Sequence, residues 1–107
     1  MAKKLNGLVR AYYAGGAVKE EWNYKKGRLY GWHKSYNENG TLKAEWHYHK
    51  DQLNHLSNLY DEDGLLEAVV SYKDGLLHGL TKVFYKNGEK REMREYKKGK
   101  LVDTRTY

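Results

Sequence analysis

The chain has 107 residues with neither cysteine nor proline, and its 20 Lys and Arg against 14 Asp and Glu give a formal charge of +6. That length suits one domain, spanning 1–107, and the missing thiols exclude a disulfide framework, a thiolate metal site and a cysteine nucleophile. No apolar run approaches the ~20 residues that a membrane-crossing helix needs.

The opening stretch, Met1 to Gly7, has lysines but no apolar segment behind them. It does not read as a secretory signal, so a reducing, cytoplasmic setting is the expectation. Leu, Val and Phe make up under a fifth of the residues and Ile is absent, while Tyr contributes 11 and Trp 3. A thick core cannot be built from that stock. Tyr buries an apolar body and keeps its hydroxyl at the wet edge, so shallow, repeated burial in a thin layer is expected.

Along the chain, Gly16, Gly40, Gly64 and Gly88 stand 24 residues apart. The same step relates Tyr24, Tyr48, Tyr72 and Tyr96, then Leu29, Leu53, Leu77 and Leu101, then Leu8, Trp32, Leu56 and Leu80; Tyr12, Tyr36 and Tyr60 are continued by Phe84. Repetition in five columns defines units at about 7–30, 31–54, 55–78 and 79–102, with a half unit at 103–107.

Inside a unit the period is two. Trp32, Lys34 and Tyr36 alternate with His33, Ser35 and Asn37, and after the turn Leu42, Ala44, Trp46 and Tyr48 alternate with Lys43, Glu45, His47 and His49. Such alternation predicts half-buried strands and essentially no helix. Asn39-Gly40, Asp63-Gly64 and Asn87-Gly88 are hairpin dipeptides, and Gly15-Gly16 fills the same slot. A three-residue loop, Glu38-Asn39-Gly40, keeps the two faces unmixed, pairing Tyr36 with Leu42, Lys34 with Ala44 and Trp32 with Trp46. It predicts a type I turn closed by a left-handed glycine. The same register places Tyr12 opposite Val18, Arg10 opposite Glu20, Leu8 opposite Trp22, and Lys82 opposite Glu92. Further turns at Lys25-Lys26-Gly27, Lys73-Asp74-Gly75 and Lys97-Lys98-Gly99 link the hairpins. The expectation is an all-β, elongated, twisted single-layer antiparallel meander of eight strands, with Val102 to Tyr107 adding a ninth.

Tyr36, Gly40 and Tyr48, then Tyr60, Gly64, Tyr72, Gly75 and Gly79, fit a spacing that resembles the MORN-type repeat, most of all its bacterial variant, often labelled an antitoxin component. The resemblance runs from Asn6 to Asp103. It implies an elongated sheet used as a scaffold or interaction surface, and it brings no catalytic residues with it. Cell-wall choline-binding repeats share the Trp, Tyr and Gly usage but would call for a secretory signal. Asp51 and His55 depart from the pattern, standing where other units have glycine; a relaxed turn is the plainer reading and a specialised, wider loop from Lys50 to Leu56 the functional one. Lys90, Glu92 and Arg94 interrupt the apolar face of the fourth unit, which suits an end cap.

The expected register gathers Leu8, Trp22, Trp32, Trp46, Leu56, Val70 and Leu80 into one apolar band flanked by tyrosines. Tyr12, Trp22, Trp32, Tyr36, Trp46 and Tyr60 are therefore the candidate partner-binding residues, set against the reading that they only pack on one another. His47 and His49 share a face but no third metal ligand is fixed, so a solvated histidine face is expected, with no metal and no cofactor. Ser35, Ser57 and Ser71 lie in no nucleophile motif, Glu20 and Glu21 point to opposite faces, and Asp61-Glu62-Asp63 reads as a solvated acidic turn; no enzyme is expected. Lys3, Lys4, Lys25, Lys26, Arg28, Lys97, Lys98 and Lys100 form a basic edge, read first as protection against edge pairing. The expected partner is another protein, such as a bacterial toxin, nuclease or defence-system component, with self-association through the aromatic face as a further possibility. Nucleic acid or anionic lipid bound through the lysines is the alternative, and a sugar or small ligand on the aromatic face is a weaker third.

Overall fold

A computed structural model describes residues 5–107. One antiparallel sheet contains every strand: β1 (Gly7–Tyr12), β2 (Val18–Lys25), β3 (Arg28–Leu29), β4 (Gly31–Tyr36), β5 (Leu42–His49), β6 (Gln52–Leu53), β7 (His55–Tyr60), β8 (Leu66–Lys73), β9 (Leu76–Phe84), β10 (Lys90–Lys97) and β11 (Lys100–Thr106). Their order is β1-β2-β4-β5-β7-β8-β9-β10-β11, while the two-residue β3 and β6 pair with β2 and β5. This is the expected meander, nine strands wide, with no helix among the described residues. Its extents of 52 × 33 × 14 Å make it a slab one sheet thick.

Turn chemistry explains the two ends of each strand. In the Asn37–Thr41 loop, Asn37 N donates to Thr41 O at 2.8 Å and Gly40 N to Asn37 O at 2.9 Å, with Gly40 at φ 90°. That is the expected three-residue loop, and the Asn39 side chain fastens it by accepting from Thr41 N at 3.0 Å. At the opposite edge, Lys26-Gly27, Lys50-Asp51, Asp74-Gly75 and Lys98-Gly99 all have positive φ at both positions, the mirror-image turn that suits strand twist. Asp51 therefore sits in a turn as tight as its glycine counterparts. Its carboxylate accepts from Leu29 N at 2.7 Å, a bond that glycine could not make. His55 likewise takes the left-handed conformation, φ 61°, that Gly7, Gly31 and Gly79 hold in the other units. The wider loop at Lys50 to Leu56 is not formed.

The register departs from expectation one step beyond each three-residue loop. Tyr36 does pair with Leu42 and Tyr12 with Val18, but then Ser35 pairs with Ala44 and Ala11 with Glu20. One residue per hairpin is left without a partner: Lys19, Lys43, Glu67 and Arg91, each exposed and each charged. A one-residue bulge shifts all later pairs and sharpens the local twist. Hence Arg10 faces Glu21, Val9 faces Trp22, Leu8 faces Asn23, Lys34 faces Glu45, His33 faces Trp46, Trp32 faces His47, and Lys82 faces Met93. The pairs Arg10 with Glu20, Leu8 with Trp22, Lys34 with Ala44, Trp32 with Trp46 and Lys82 with Glu92 are not made.

The slip splits the residues into two unlike faces. On the first lie Val9, Trp22, His33, Trp46, Ser57, Val70 and Thr81, with Ala44 and Ala68 in the next row. Ala44, Ser57 and Ala68 are the buried residues of the sheet, so this face holds the core. On the second lie Leu8, Trp32, Leu56 and Leu80 in one row and Tyr12, Tyr36, Tyr60 and Phe84 in another. The single apolar band expected from sequence is thus two half-bands back to back. Glu92 and Arg94 fall on the first face, bonded to each other at 2.7 Å, while Lys90 lies on the second opposite Phe84.

Candidate interaction face

Of the candidate partner-binding residues, Tyr12, Trp32, Tyr36 and Tyr60 share the second face, and Trp22 and Trp46 are on the other. Trp22 and Trp46 stack on either side of His33, with ring centroids 5.2 and 4.7 Å from it. His33 Nε2 stands 3.4 Å from Glu20 Oε1 without the alignment of a hydrogen bond, and burial pushes the imidazole below its ordinary pKa despite that carboxylate. These two tryptophans are engaged within the fold. His47 and His49 share the second face as expected; His49 and His55 are exposed, while His47 is half-buried and packs edge-on to Trp32 at 5.1 Å and to His55 at 5.0 Å. Burial first, then His55 and His49, lowers the His47 pKa.

The second face is open. Leu8 is 48% exposed, Trp32 39% and Leu56 50%, all along one row. Beside Leu56 and Leu80, a groove of about 320 Å³ runs between Val69, Ser71, Lys82 and Phe84. Three strand-long rows cross this face. Between the Leu/Trp row and the Tyr row runs a mainly polar one: Arg10, Glu21, Lys34, Glu45, Asn58, Val69 and Lys82.

Hydrogen bonds fix the tyrosines to that middle row. Tyr36 Oη donates to Glu21 Oε1 at 2.6 Å, and Arg10 Nε to Glu21 Oε2 at 2.8 Å. One unit later Tyr60 Oη donates to Glu45 Oε1 at 2.8 Å, joined there by Asn58 Nδ2 at 3.2 Å. The Glu21 bond, then burial, pushes the Tyr36 phenol up to about 12. For Tyr60, burial leads and Glu45 follows, also to about 12. Both bonds lower the Glu21 carboxylate, Tyr36 more than Arg10. The next repeat position holds Phe84 and Val69, so the hydroxyl and its acceptor are replaced together.

The basic edge is formed by the mirror-image turns. Lys25, Lys26, Arg28 and Lys50 line a cleft of about 340 Å³ with Tyr30, and Lys25 Nζ lies 5.1 Å from the Tyr30 ring centre. Lys97, Lys98 and Lys100 occupy the last turn of the same edge, and Lys3 and Lys4 lie outside the described residues. Lys50, absent from the expected set, is brought in by the neighbouring turn. Among the described residues no three His, Asp or Glu side chains converge as metal ligands. The acidic turn caps itself, Asp61 Oδ1 accepting from Asp63 N at 2.9 Å and Leu65 N at 3.0 Å.

No protein of curated function matches the sequence significantly. In solved structures the fold recurs in the crystal structure of accessory secretory protein 1, 2 and 3 in Streptococcus pneumoniae. The match has TM-score 0.51 and 14% identity, covering 92% of this chain and 19% of that one. This chain therefore spans about a fifth of that neighbour's length, and the likeness is one of fold. The model of the MORN repeat variant family matches residues 5–26, 31–50 and 77–98, and the stretch between the last two matches contains both Asp51 and His55. With those segments covering more than half of the sequence, the chain belongs to the MORN repeat variant family.

Proposed function

We propose that this chain is a non-enzymatic protein-interaction module, acting in the cytoplasm, that holds its partner against the second face of the sheet. The observation that carries this reading is the exposed row Leu8, Trp32 and Leu56, set beside tyrosines whose orientation is fixed by Glu21 and Glu45. A solvated row in which large apolar side chains alternate with Asn23, His47 and Ser71 has the mixed composition of an interface. Family membership supports the same reading, because MORN repeats are generally associated with protein or membrane interaction. The finer reading, in which the partner is a toxin, nuclease or defence-system component that becomes neutralised, draws on family resemblance alone.

The test is photo-crosslinking. A crosslinker placed at Leu56 should yield adducts to protein in cells, and one placed at Thr104, on the first face, should not. Equal adduct formation from both faces, or none from Leu56, refutes the assignment. A second reading rests on the cleft formed by Lys25, Lys26, Arg28 and Lys50, which no carboxylate of the described residues lines. An anionic nucleic-acid or lipid surface held there would be released steeply by salt, and an absent or salt-independent interaction would remove that reading.

A further inference from the structure

The exposed row needs an occupant, and the distribution of charge along the slab points to one. The four mirror-image turns, Lys25–Arg28, His49–Gln52, Lys73–Leu76 and Lys97–Lys100, all lie on one edge and carry eight cations against Asp51 and Asp74. The four three-residue loops, bounded by Tyr13–Ala17, Asn37–Thr41, Asp61–Leu65 and Tyr85–Glu89, lie on the other edge and carry five carboxylates against Lys86. One edge is basic and the other acidic, and the open face lies between them.

We infer that a second copy of this chain covers the open face, related to the first by a two-fold axis running along the direction in which the strands stack. The inference rests on the reading of that face as an interaction surface, and it names the partner. Such an axis keeps strand order, turns the two open faces toward each other and exchanges the edges. Each unit then lies over the same unit of its partner. The Leu8, Trp32, Leu56 and Leu80 row of one copy meets the Tyr12, Tyr36, Tyr60 and Phe84 row of the other. Both rows step once per hairpin, so they match along their whole length. The acidic Glu62 and Asp63 of one copy, the latter 3.4 Å from its own Lys86, fall between the Lys50-Asp51 and Lys73-Asp74 turns of the other, because loops and turns alternate along the stack. The middle row lies on the axis, so Arg10, Glu21, Lys34, Glu45 and Lys82 each face their own copy, and the opposite charge of the next strand lies diagonal to each.

Area permits it as well. The 52 by 33 Å footprint is about 1,700 Å², so contact over half of it removes about 1,700 Å² from the two copies together, the size of a stable specific interface. The other two-fold, parallel to the strands, would set basic edge on basic edge. The first face offers no comparable surface, since Trp22 and Trp46 already enclose His33.

Sedimentation velocity of the purified chain tests the proposal. The wild type should sediment at twice the 12.6 kDa chain mass at tens of micromolar. Leu56→Glu should shift it to monomer with an unchanged circular dichroism spectrum, and Trp32→Glu should do the same. Reversal of one edge, Lys50→Glu with Lys73→Glu, should weaken the dimer at least tenfold. Adding Glu62→Lys and Asp63→Lys to that variant should restore it. A wild type that stays monomeric, or a dimer indifferent to Leu56→Glu, overturns the inference, and a dimer weakened by one edge but not rescued by the other overturns its geometry. A monomer whose Leu56 crosslinks to a different protein overturns only the choice of occupant. A monomer without Leu56 adducts overturns the interaction reading too.

Discussion

Tyr60 and Glu45 stand 24 residues before Phe84 and Val69, so the protein already contains the double variant of this pair at the next repeat position. Tyr60→Phe removes one hydrogen bond to a carboxylate, made at 2.8 Å on a half-buried part of the sheet. A charge-assisted bond of that kind contributes about 1.5–3 kcal/mol when well shielded, and partial exposure brings the expected loss to about 1–1.5 kcal/mol. For a domain near 100 residues that lowers Tm by about 5 °C. Glu45→Val should cost about as much, because it strands both Tyr60 Oη and Asn58 Nδ2 at the edge of an apolar row. The double variant, Tyr60→Phe with Glu45→Val, reproduces the Phe84/Val69 pairing and should cost about 1 kcal/mol less than the sum of its parts. Urea unfolding followed by tryptophan fluorescence measures all three. Additivity within about 0.3 kcal/mol would show that the tyrosine and glutamate do not act as a unit, and the account of this face would fail with it.

Other outcomes follow from buried and ionisable groups. The Tyr36 and Tyr60 phenols, both pushed up to about 12, keep their protons in the fold while an unfolded chain loses them near 10. Their contribution is therefore complete below pH 10 and is lost as the pH rises toward 12; tyrosinate absorbance should show these two titrating late, with Tyr48 and Tyr72 also raised by burial, and simultaneous ionisation of every tyrosine would contradict this. His33 and His47 have lowered pKa values, so their contribution is whole above the unfolded value near 6.5 and falls as acid drops below it. Thermal melts should weaken from pH 6.5 downward, and His33→Phe should flatten that slope. Ser57 Oγ is buried without a hydrogen-bond partner. Ser57→Ala should thus raise stability by about 1 kcal/mol by urea unfolding, and a loss of that size would reveal a partner for the hydroxyl.

The strands, both kinds of turn and the order of the sheet could be read from the sequence because each depends on local rules: alternation, turn dipeptides and the 24-residue step. What could not be read that way was which side chains share a face. Leu42, Ala44, Trp46 and Tyr48 alternate without a break on paper, yet the unpaired Lys43 turns Leu42 away from the other three. Alternation counts residues and a bulge adds one, so the pattern is blind to it. That single slip separated Trp32 from Trp22 and Trp46, and carried His33 between those two rings.

Two signals in the sequence would have disclosed the slip. The first is the column Lys19, Lys43, Glu67 and Arg91, charged in every unit. An unpaired residue at the surface can carry a long solvated side chain at no cost to the ladder. The second is stronger, because it discriminates between registers. With unbroken alternation Tyr36 shares a face with Glu20, and Glu21 points away; with one bulge Tyr36 shares a face with Glu21. Tyrosine at 36 and 60 goes with glutamate at 21 and 45, and phenylalanine at 84 goes with valine at 69. A hydroxyl and its acceptor that disappear together point to a contact, since either one half-buried alone would be an unpaired polar group. Only the bulged register allows that contact. Comparison of the units with one another therefore fixes what no single unit can: the face on which Leu8, Trp32 and Leu56 stand together in solvent.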